Sequence, residues 1–182
     1  MRQVWITKVG PPEVLAIKEA PDPQPAAGEM CIRVEASGVN FADVMGRLGL
    51  YLPRIPCVPG YEIAGRVDAV GGGVDASWIR RDVFALTRFG GYADVTCAPQ
   101  AQVFPRPPGM CAEDGASIPV NYLTAWQLIV VMGGLNAGET VLIHSAGGGV
   151  GIAATQIAKH IGAKVIGTAS AAKHGELLGS II

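Results

Sequence analysis

The chain has 182 residues, of which 49% are hydrophobic and 16% are charged, and its formal net charge is -1. This apolar content is enough to fill the core of one domain and part of a second, whereas the near-zero charge gives no electrostatic basis for binding nucleic acid. Residues 1–10 lack the basic start and apolar core of a signal peptide, and the most apolar run, 125–135, is short. We therefore expect no nucleic-acid partner and no membrane span.

The cysteines carry a separate prediction about redox state. Cys31, Cys57, Cys97 and Cys111 show no Cys-x-x-Cys spacing and lie in apolar or turn sequences. Reduced core thiols are therefore expected in preference to a disulfide framework or a zinc site. Reduced thiols in turn predict a cytoplasmic protein.

The first part of the chain predicts an antiparallel β domain. Apolar and polar residues alternate through several short runs, and Gly and Pro separate these runs from one another. Such a pattern is typical of a barrel-like antiparallel domain. The predicted elements are a hairpin of 4–6 and 14–18, strands at 30–36, 63–70 and 82–86, and a helix over 40–48 that Asn40 or Asp43 begins.

A cluster of prolines then predicts a domain boundary. Residues 105–109 contain three prolines and a glycine, and helical patterns follow from Ala112 and over 121–132. Such punctuation is common where one domain ends and another begins. We assign residues 1–115 to the first domain and residues 116–182 to the second.

The second domain contains the most informative pattern of the chain. Residues 140–151 predict a strand and a glycine turn, residues 152–162 an amphipathic helix, and residues 163–168 a second strand. This order is typical of a nucleotide-binding βαβ unit, in which the backbone passes close to a pyrophosphate and the helix N-terminus presents N–H groups to it. A plain tight turn in an α/β core is the alternative. The predicted cofactor-binding residues of the turn are Ala146, Gly147, Gly148, Gly149, Val150 and Gly151.

Six ordered motifs make the chain resemble a known family. They lie at residues 38–43, 59–65, 90–93, 119–126, 144–151 and 167–174. The chain resembles the zinc-independent quinone oxidoreductase (zeta-crystallin-like) branch of the medium-chain dehydrogenase/reductase family, near its vesicle amine transport protein subgroup. The resemblance implies an α/β plus β fold, with a GroES-like antiparallel β-barrel domain followed by a Rossmann domain. It also implies NADPH and hydride transfer to a quinone or another α,β-unsaturated carbonyl.

The resemblance further implies that no catalytic metal is bound. Zinc-dependent relatives place ligands where this chain has Asn40, Tyr61 and Asn121. Amide and phenol groups are poor zinc ligands. Glu62 remains, and we expect its carboxylate to be hydrogen-bonded inside the site. We therefore predict that the chain binds no metal.

The same resemblance nominates catalytic residues. Hydride arriving at the β-carbon leaves negative charge on the substrate oxygen, which hydrogen-bond donors stabilise. Asn40, Tyr51 and Tyr61 are the expected donors. The alternatives are a helix cap for Asn40 and packed rings with solvated hydroxyls for the two tyrosines.

Cofactor contacts are expected outside the glycine turn as well. Thr124 resembles the residue beside the nicotinamide, and the alternative is a helical Thr bonded to its own backbone. Ser170 lies where NAD-specific folds carry an acidic residue, and Lys173 resembles the family's contact to the 2′-phosphate. The alternative for Lys173 is a solvated surface lysine. The predicted cofactor is NADPH.

The sequence ends after one βαβ unit, whereas a dinucleotide-binding fold is built from two similar halves. We therefore expect an incomplete Rossmann domain, from a fragment or a truncated product, and weak or no activity for the chain alone. An uncovered edge of a parallel sheet favours self-association, which predicts a homodimer. The alternative function is a non-catalytic nucleotide-binding or structural protein that keeps the reductase fold.

Overall fold

The computed structural model describes residues 1–50 and 54–172, and the chain divides into two compact units at Pro119 and Val120. The first unit is built on a curled antiparallel sheet with the strand order β6-β3-β4-β5-β7, beside a separate β1–β2 hairpin. Its elements are β1 (Arg2–Ile6), β2 (Leu15–Glu19), β3 (Glu29–Ser37), α1 (Phe41–Arg47), β4 (Glu62–Val70), β5 (Asp82–Leu86), β6 (Val95–Pro99), β7 (Val103–Pro105) and α2 (Ala112–Ser117).

The expected antiparallel domain is confirmed, but two of its strands escape sequence prediction. Strands β6 and β7 each end in proline, at Pro99 and Pro105, and they are the two edges of the five-stranded sheet. Proline removes a backbone donor, so it is tolerated at an edge and argues against a strand when only the sequence is known. The sequence pattern therefore shows the centre of the sheet and not its edges.

Alternation along the central strands produces the core of the first unit. Successive side chains of a strand point to opposite faces, and large apolar residues occupy the inward positions with almost no exposure. This core contains Met30, Ile32, Ile63, Val67, Val83, Ala85, Ala98 and Val103.

The structure corrects the expectation of four reduced cysteines. Cys31 of β3 and Cys97 of β6 face each other directly, with their Cα atoms 4.0 Å apart, and are joined as a disulfide. Cys57 and Cys111 are free. The prediction failed because it examined local spacing, whereas strand pairing brings together residues separated by 66 positions. The expectation of reduced thiols therefore holds in this structure for Cys57 and Cys111 alone, and the cytoplasmic location stays a prediction.

The second unit contains the expected strand, turn, helix and strand. Its elements are α3 (Pro119–Trp126), a π-helical segment (Gln127–Met132), β8 (Thr140–Ile143), α4 (Gly149–Ile161) and β9 (Lys164–Gly167). Strands β8 and β9 pair in parallel, with Val141 opposite Val165. Gly162 ends α4 in the left-handed conformation, at φ 91°, which glycine adopts without steric cost.

The boundary between the two units lies slightly beyond the predicted boundary at residue 115. Helix α2 packs on strands β3, β4 and β5, and its Gly115 and Ala116 are buried. Because α2 covers the antiparallel sheet, it belongs to the first unit. The first unit therefore extends to Pro119.

One helical stretch of the described residues, Ala112–Met132, is long and apolar enough to span a membrane by length and composition, with a mean hydropathy of 1.2. Part of this stretch is α2, which packs against the antiparallel sheet. Core helices of proteins without any membrane span meet the same criteria. The absence of a membrane span therefore stays a prediction.

Candidate functional site

In the first unit, the start of α1 is held by a buried carboxylate. Asn40 is the N-cap residue, and its backbone N–H donates to Asp43 Oδ2 at 2.9 Å. Asp43 also accepts the Gly60 N–H at 3.0 Å and the Tyr92 hydroxyl at 3.1 Å. Asp43 is therefore a helix-start residue, as expected, and it also joins α1 to two loops of the domain.

The side chain of Asn40 has a second buried partner. Its Nδ2 donates to Glu62 Oε1 at 2.9 Å, and only 1% of Glu62 is exposed. A Cβ at Gly38 would lie 2.4 Å from the same Glu62 oxygen, so a glycine is required for this close approach. Glu62 is thus hydrogen-bonded inside the site, as the sequence analysis expects, and it fixes the orientation of the Asn40 amide.

Tyr61 lies beside this pair and packs on an aromatic ring. The Tyr61 and Phe89 ring centroids are 5.6 Å apart, with the rings tilted by 49°. Phe89 in turn lines a cavity of about 370 Å³, whose lining residues are Arg54, Pro56, Cys57, Val58, Phe89 and Gly90. The packed-ring alternative for Tyr61 therefore has direct geometric support. Tyr51, the third expected donor, lies outside the described residues.

Burial controls the protonation of two groups in this region. Desolvation, reinforced by the negative charge of Asp43, raises the pKa of Tyr92 well above its usual value. The hydroxyl therefore remains a donor throughout the physiological range. Desolvation also raises the pKa of the Cys57 thiol, which lowers its nucleophilic character at neutral pH.

The donor set of the first unit does not match a zinc site. Zinc is normally held by three or four Cys, His or carboxylate ligands, and the described residues contain no group of three His, Cys, Asp or Glu side chains that could hold a metal. At the positions that zinc-dependent relatives use, Asn40 is an amide and Tyr61 a phenol. Glu62 already accepts a hydrogen bond from Asn40.

In the second unit, the glycine turn connects β8 to α4 through a tight reversal. Ser145 is left-handed, at φ 55°, and the Gly148 N–H donates to the Ser145 carbonyl at 2.8 Å. The Ala146 N–H donates to the Thr168 carbonyl at 2.9 Å, which ties the turn to the end of β9. The expected turn residues 146–151 are therefore brought together between a strand and a helix.

Cβ atoms at two glycines of the turn would overlap their neighbours, which are backbone atoms at Gly151 and a side-chain amide at Gly149. A Cβ at Gly151 would lie 2.3 Å from the Ser145 carbonyl oxygen, and one at Gly149 would lie 2.5 Å from Asn121 Oδ1. At Gly148 the nearest atom would be 3.3 Å away. Gly151 therefore allows the first turn of α4 to lie close to the backbone of Ser145 and Ala146, and Gly148 leaves free the place of a side chain beside the start of the helix.

The N-terminus of α4 suits an anion. Gly148 is its N-cap without a side-chain capping bond, and no acidic residue lies in its first turn. Backbone N–H groups of a first helical turn lack intrahelical acceptors and attract negative charge. Thr124 and Ser170 are both exposed, and Lys173 lies outside the described residues. The glycine turn thus fits a pyrophosphate, and the contacts expected from Thr124, Ser170 and Lys173 stay predictions.

Sequence reasoning did not assign a role to Tyr92. It lies in the Gly90-Gly-Tyr-Ala93 motif, which we use above only for its resemblance to the family. A tyrosine in a glycine-rich loop gives no sign that its hydroxyl reaches a carboxylate 49 positions away. Only the folded arrangement of the Tyr92 loop and α1 shows the contact.

Comparisons with known proteins agree with this architecture. Residues 26–108 match the family model for the alcohol dehydrogenase GroES-like domain. The chain is 44% identical to the synaptic vesicle membrane protein VAT-1 homolog of Rattus norvegicus over 163 residues, which are 88% of this chain and 40% of that protein. It is 39% identical to a quinone oxidoreductase of Pongo abelii, over 93% of this chain and 53% of that protein.

Solved structures give the same result. The human VAT-1 homolog-like protein superposes with a TM-score of 0.94 at 37% identity, over 100% of this chain and 60% of that one. A mycobacterial protein complexed with NADPH superposes with a TM-score of 0.90 at 37% identity, over 97% and 55% respectively. The chain thus spans about half the length of the relatives it matches. It carries an alcohol dehydrogenase GroES-like domain over residues 26–108 and is similar to quinone oxidoreductases and VAT-1 homologs.

Proposed function

We propose that this chain supplies the substrate-binding domain and the glycine turn of an NADPH-dependent reductase that acts on a quinone or another α,β-unsaturated carbonyl without catalytic zinc. The observation that carries the proposal is the Asn40–Glu62 hydrogen bond. This bond supports the proposal because it orients the Asn40 amide, and Asn40 resembles a position that holds a metal ligand in zinc-dependent relatives.

Asn40 is the proposed donor to the substrate oxygen. An amide carries two N–H donors, and Glu62 accepts one of them. The Glu62 carboxyl group holds the amide in one orientation before the substrate binds, so little reorganisation is needed when charge develops on the substrate oxygen. Tyr61 and Tyr51 are proposed to line the same site, with Tyr61 also packing against Phe89.

The cavity beside Phe89 is the proposed place for the substrate ring. Its lining combines an aromatic face, aliphatic atoms and the cationic Arg54 at one side. Flat, weakly polar quinones and enones suit an apolar cavity with few polar groups.

The glycine turn is proposed to hold the cofactor. NADPH, when bound, supplies the hydride. Residues Ala146 to Gly151 would cradle the pyrophosphate, with the α4 N-terminus favouring its negative charge. Thr124 would contact the nicotinamide side, while Ser170 and Lys173 would accommodate the 2′-phosphate. A homodimer in the cytoplasm is part of the same proposal.

Enone-dependent oxidation of NADPH tests the reductase proposal. The assay uses a protein that extends this chain through the second half of the dinucleotide fold, because a reacting pair must be held about 3–3.5 Å apart. We expect turnover that falls roughly a hundredfold in Asn40→Asp, which cannot donate from its side chain. An extended protein that binds NADPH but turns over no quinone or enone would favour a non-catalytic role.

Cofactor preference is tested separately by Ser170→Asp. Loss of one charge-assisted phosphate contact is worth roughly 1.5–3 kcal/mol, or about tenfold to a hundredfold in affinity. The new carboxylate should therefore reverse a preference for NADPH over NADH in binding titrations. Equal affinity for the two cofactors before mutation would remove Ser170 and Lys173 from the proposed site.

Zinc analysis tests the metal-free part of the proposal. Protein purified without a metal-affinity tag should contain far less than one zinc per chain, because the relevant positions hold Asn40, Tyr61 and Asn121. Stoichiometric zinc that survives dialysis against a chelator would contradict this.

A further inference from the structure

Three arginine side chains line one cavity on the surface of the first unit. The cavity has a volume of about 290 Å³, and its lining includes Arg33, Arg66 and Arg80. Arg33 of β3 and Arg66 of β4 are direct partners across the two antiparallel strands. Like charges in directly opposed positions repel each other. The fold thus concentrates positive charge in one concavity of a chain whose net charge is -1.

Carboxylates neutralise two of the three arginines and not the third. Arg33 Nη2 lies 2.8 Å from Asp68 Oδ2, and Arg66 Nε lies 2.8 Å from Asp82 Oδ1. Arg80 forms no salt bridge with another residue in the described part of the chain. Because a guanidinium carries five N–H donors, Arg33 and Arg66 also retain donors beyond these ion pairs. Three arginines and one carboxylate, Asp68, line the cavity, while Asp22 lies 3.8 Å from Arg33 and Asp82 pairs with Arg66 from outside the lining.

Arg80 occupies a backbone conformation that disfavours any residue with a Cβ atom. Its φ is 68°, in the left-handed region where glycine is the usual choice. The conformation is held by two hydrogen bonds, from the Arg80 N–H to the Val67 carbonyl at 2.8 Å and from the Val67 N–H to the Arg81 carbonyl at 3.0 Å. Strained residues that carry an unpaired functional group are candidates for a binding role.

The neighbouring arginine shows the contrast. Arg81 stacks on the Trp78 ring, with its Cζ atom 5.3 Å from the ring centroid, and its Nε donates to the Ser77 carbonyl at 2.7 Å. Arg81 therefore has a structural role and is not among the residues that line the cavity. Arg80, one position earlier, has its backbone fixed and its guanidinium without a protein partner in the described region.

We propose that this cavity, the arginine cavity, binds a phosphate group, carried either by a small phosphate ester or by a lipid headgroup. Guanidinium groups bind phosphate oxygens through paired, charge-assisted hydrogen bonds. Arg80 supplies the uncompensated positive charge, and Arg33 and Arg66 supply additional N–H donors from strands β3 and β4. The site is formed by strands β3 and β4 and by the segment that precedes β5, and it is independent of the reductase proposal.

The first experiment titrates inorganic phosphate into the isotope-labelled protein and follows backbone amide signals by NMR. We expect saturable shifts at Val67, Arg80 and Arg33, separate from any response of the glycine turn. Arg80→Gln should weaken binding at these amides roughly fivefold, as suits the loss of one exposed charge contact. The matched control is Arg88→Gln, which removes an exposed arginine that does not line the cavity and should leave the affinity unchanged.

Arg80→Gly separates a binding role from a structural one. Glycine relieves the left-handed strain, so the midpoint of thermal unfolding should rise while phosphate binding weakens as in Arg80→Gln. Arg80→Lys keeps the charge and should retain part of the affinity. Phosphate binding equal to wild type in Arg80→Gly, or equal losses in Arg80→Gln and Arg88→Gln, would overturn the proposal.

The source of the phosphate is decided with vesicles. Phosphatidylcholine vesicles with and without phosphatidylserine are sedimented with the wild type and with Arg80→Gln. Cosedimentation that requires both phosphatidylserine and Arg80 assigns the arginine cavity to a lipid headgroup, whereas inorganic phosphate binding without cosedimentation assigns it to a small phosphate ester. A protein that responds to neither probe has no phosphate site there.

Discussion

The two units bury their apolar residues to very different extents. In the five-stranded antiparallel sheet of the first unit, Ile32 and Ile63 are completely buried. In the parallel β8–β9 pair of the second unit, Leu142 and Ile166 are 56% and 50% exposed. The buried cluster of the second unit consists mainly of alanines, namely Ala125, Ala146, Ala153 and Ala154, together with Ile143.

This difference shows where the stability of the chain resides. Burial of a large aliphatic side chain contributes about 1.5–3 kcal/mol, and alanine contributes far less. Parallel sheets normally have both faces covered, whereas large side chains of β8 and β9 remain in contact with solvent. The proposed substrate site thus rests on a complete core, and the proposed cofactor turn rests on a thin one.

Truncation of matched isoleucines is the strongest test of this contrast. Ile32→Ala should lower the free energy of unfolding by about 2–5 kcal/mol, because it leaves a cavity in a closed core. Ile166→Ala, also within a strand, should cost less than about 1 kcal/mol, because half of that side chain is already solvated. Urea unfolding followed by circular dichroism measures both.

A fluorescence control assigns each transition to its unit. In a Trp126→Phe background the remaining tryptophans, Trp5 and Trp78, both lie in the first unit. Their unfolding midpoint should move with Ile32→Ala and not with Ile166→Ala. Equal shifts from the two substitutions would show that the units unfold together and that exposure in the second unit misrepresents its stability.

The sequence predicted those features that contiguous residues form and missed those that join distant parts of the chain. The glycine turn was predicted well because strand, turn and helix are contiguous and Gly148 and Gly151 have local reasons to be glycine. Asn40 as the partner of the expected Glu62 hydrogen bond, and the Tyr92–Asp43 bond, were not predicted, because these pairs are 22 and 49 positions apart. The Cys31–Cys97 pairing was missed for the same reason, since no local pattern specifies which strands become neighbours.

Two alanine substitutions in the glycine turn sharpen the comparison further. Gly151→Ala should destabilise the second unit by about 1–3 kcal/mol, because its Cβ would lie 2.3 Å from the Ser145 carbonyl oxygen, which already accepts the Gly148 N–H. Gly148→Ala places its Cβ 3.3 Å from the Ser145 carbonyl oxygen, a tight contact that a small shift relieves, so it should cost less than Gly151→Ala and keep the fold. Amide hydrogen exchange of α4 measures the difference.

The same pair distinguishes folding from cofactor binding. If Gly148 keeps space for a pyrophosphate, Gly148→Ala should weaken NADPH binding by the extended protein while α4 exchanges as in the wild type. Faster exchange of α4 in Gly148→Ala than in Gly151→Ala would reverse the roles that the geometry gives to these glycines.

The smallest expected effect contrasts the hydroxyl groups of two tyrosines. Tyr92 donates to the buried Asp43 in the first unit, and Tyr122 bonds Gln156 at an exposed position in the second. Tyr92→Phe should cost about 1–2 kcal/mol at neutral pH, because a carboxylate inside the protein loses a donor, whereas Tyr122→Phe should cost about 0.5 kcal/mol or less.

Alkaline pH provides the decisive measurement for Tyr92. Its pKa in the folded protein is raised above the ordinary value of 10.0, mainly by desolvation. The unfolded chain therefore releases this proton first as the pH rises past 10.0, and the stability that the protonated hydroxyl contributes below that pH is progressively lost. Tyr92→Phe has no such proton, so its deficit relative to wild type should shrink between pH 9 and 11 in urea unfolding at matched ionic strength. A constant deficit across this range would mean that Tyr92 titrates alike in the folded and unfolded chains, and that the first unit does not enclose its polar network as its closed core implies.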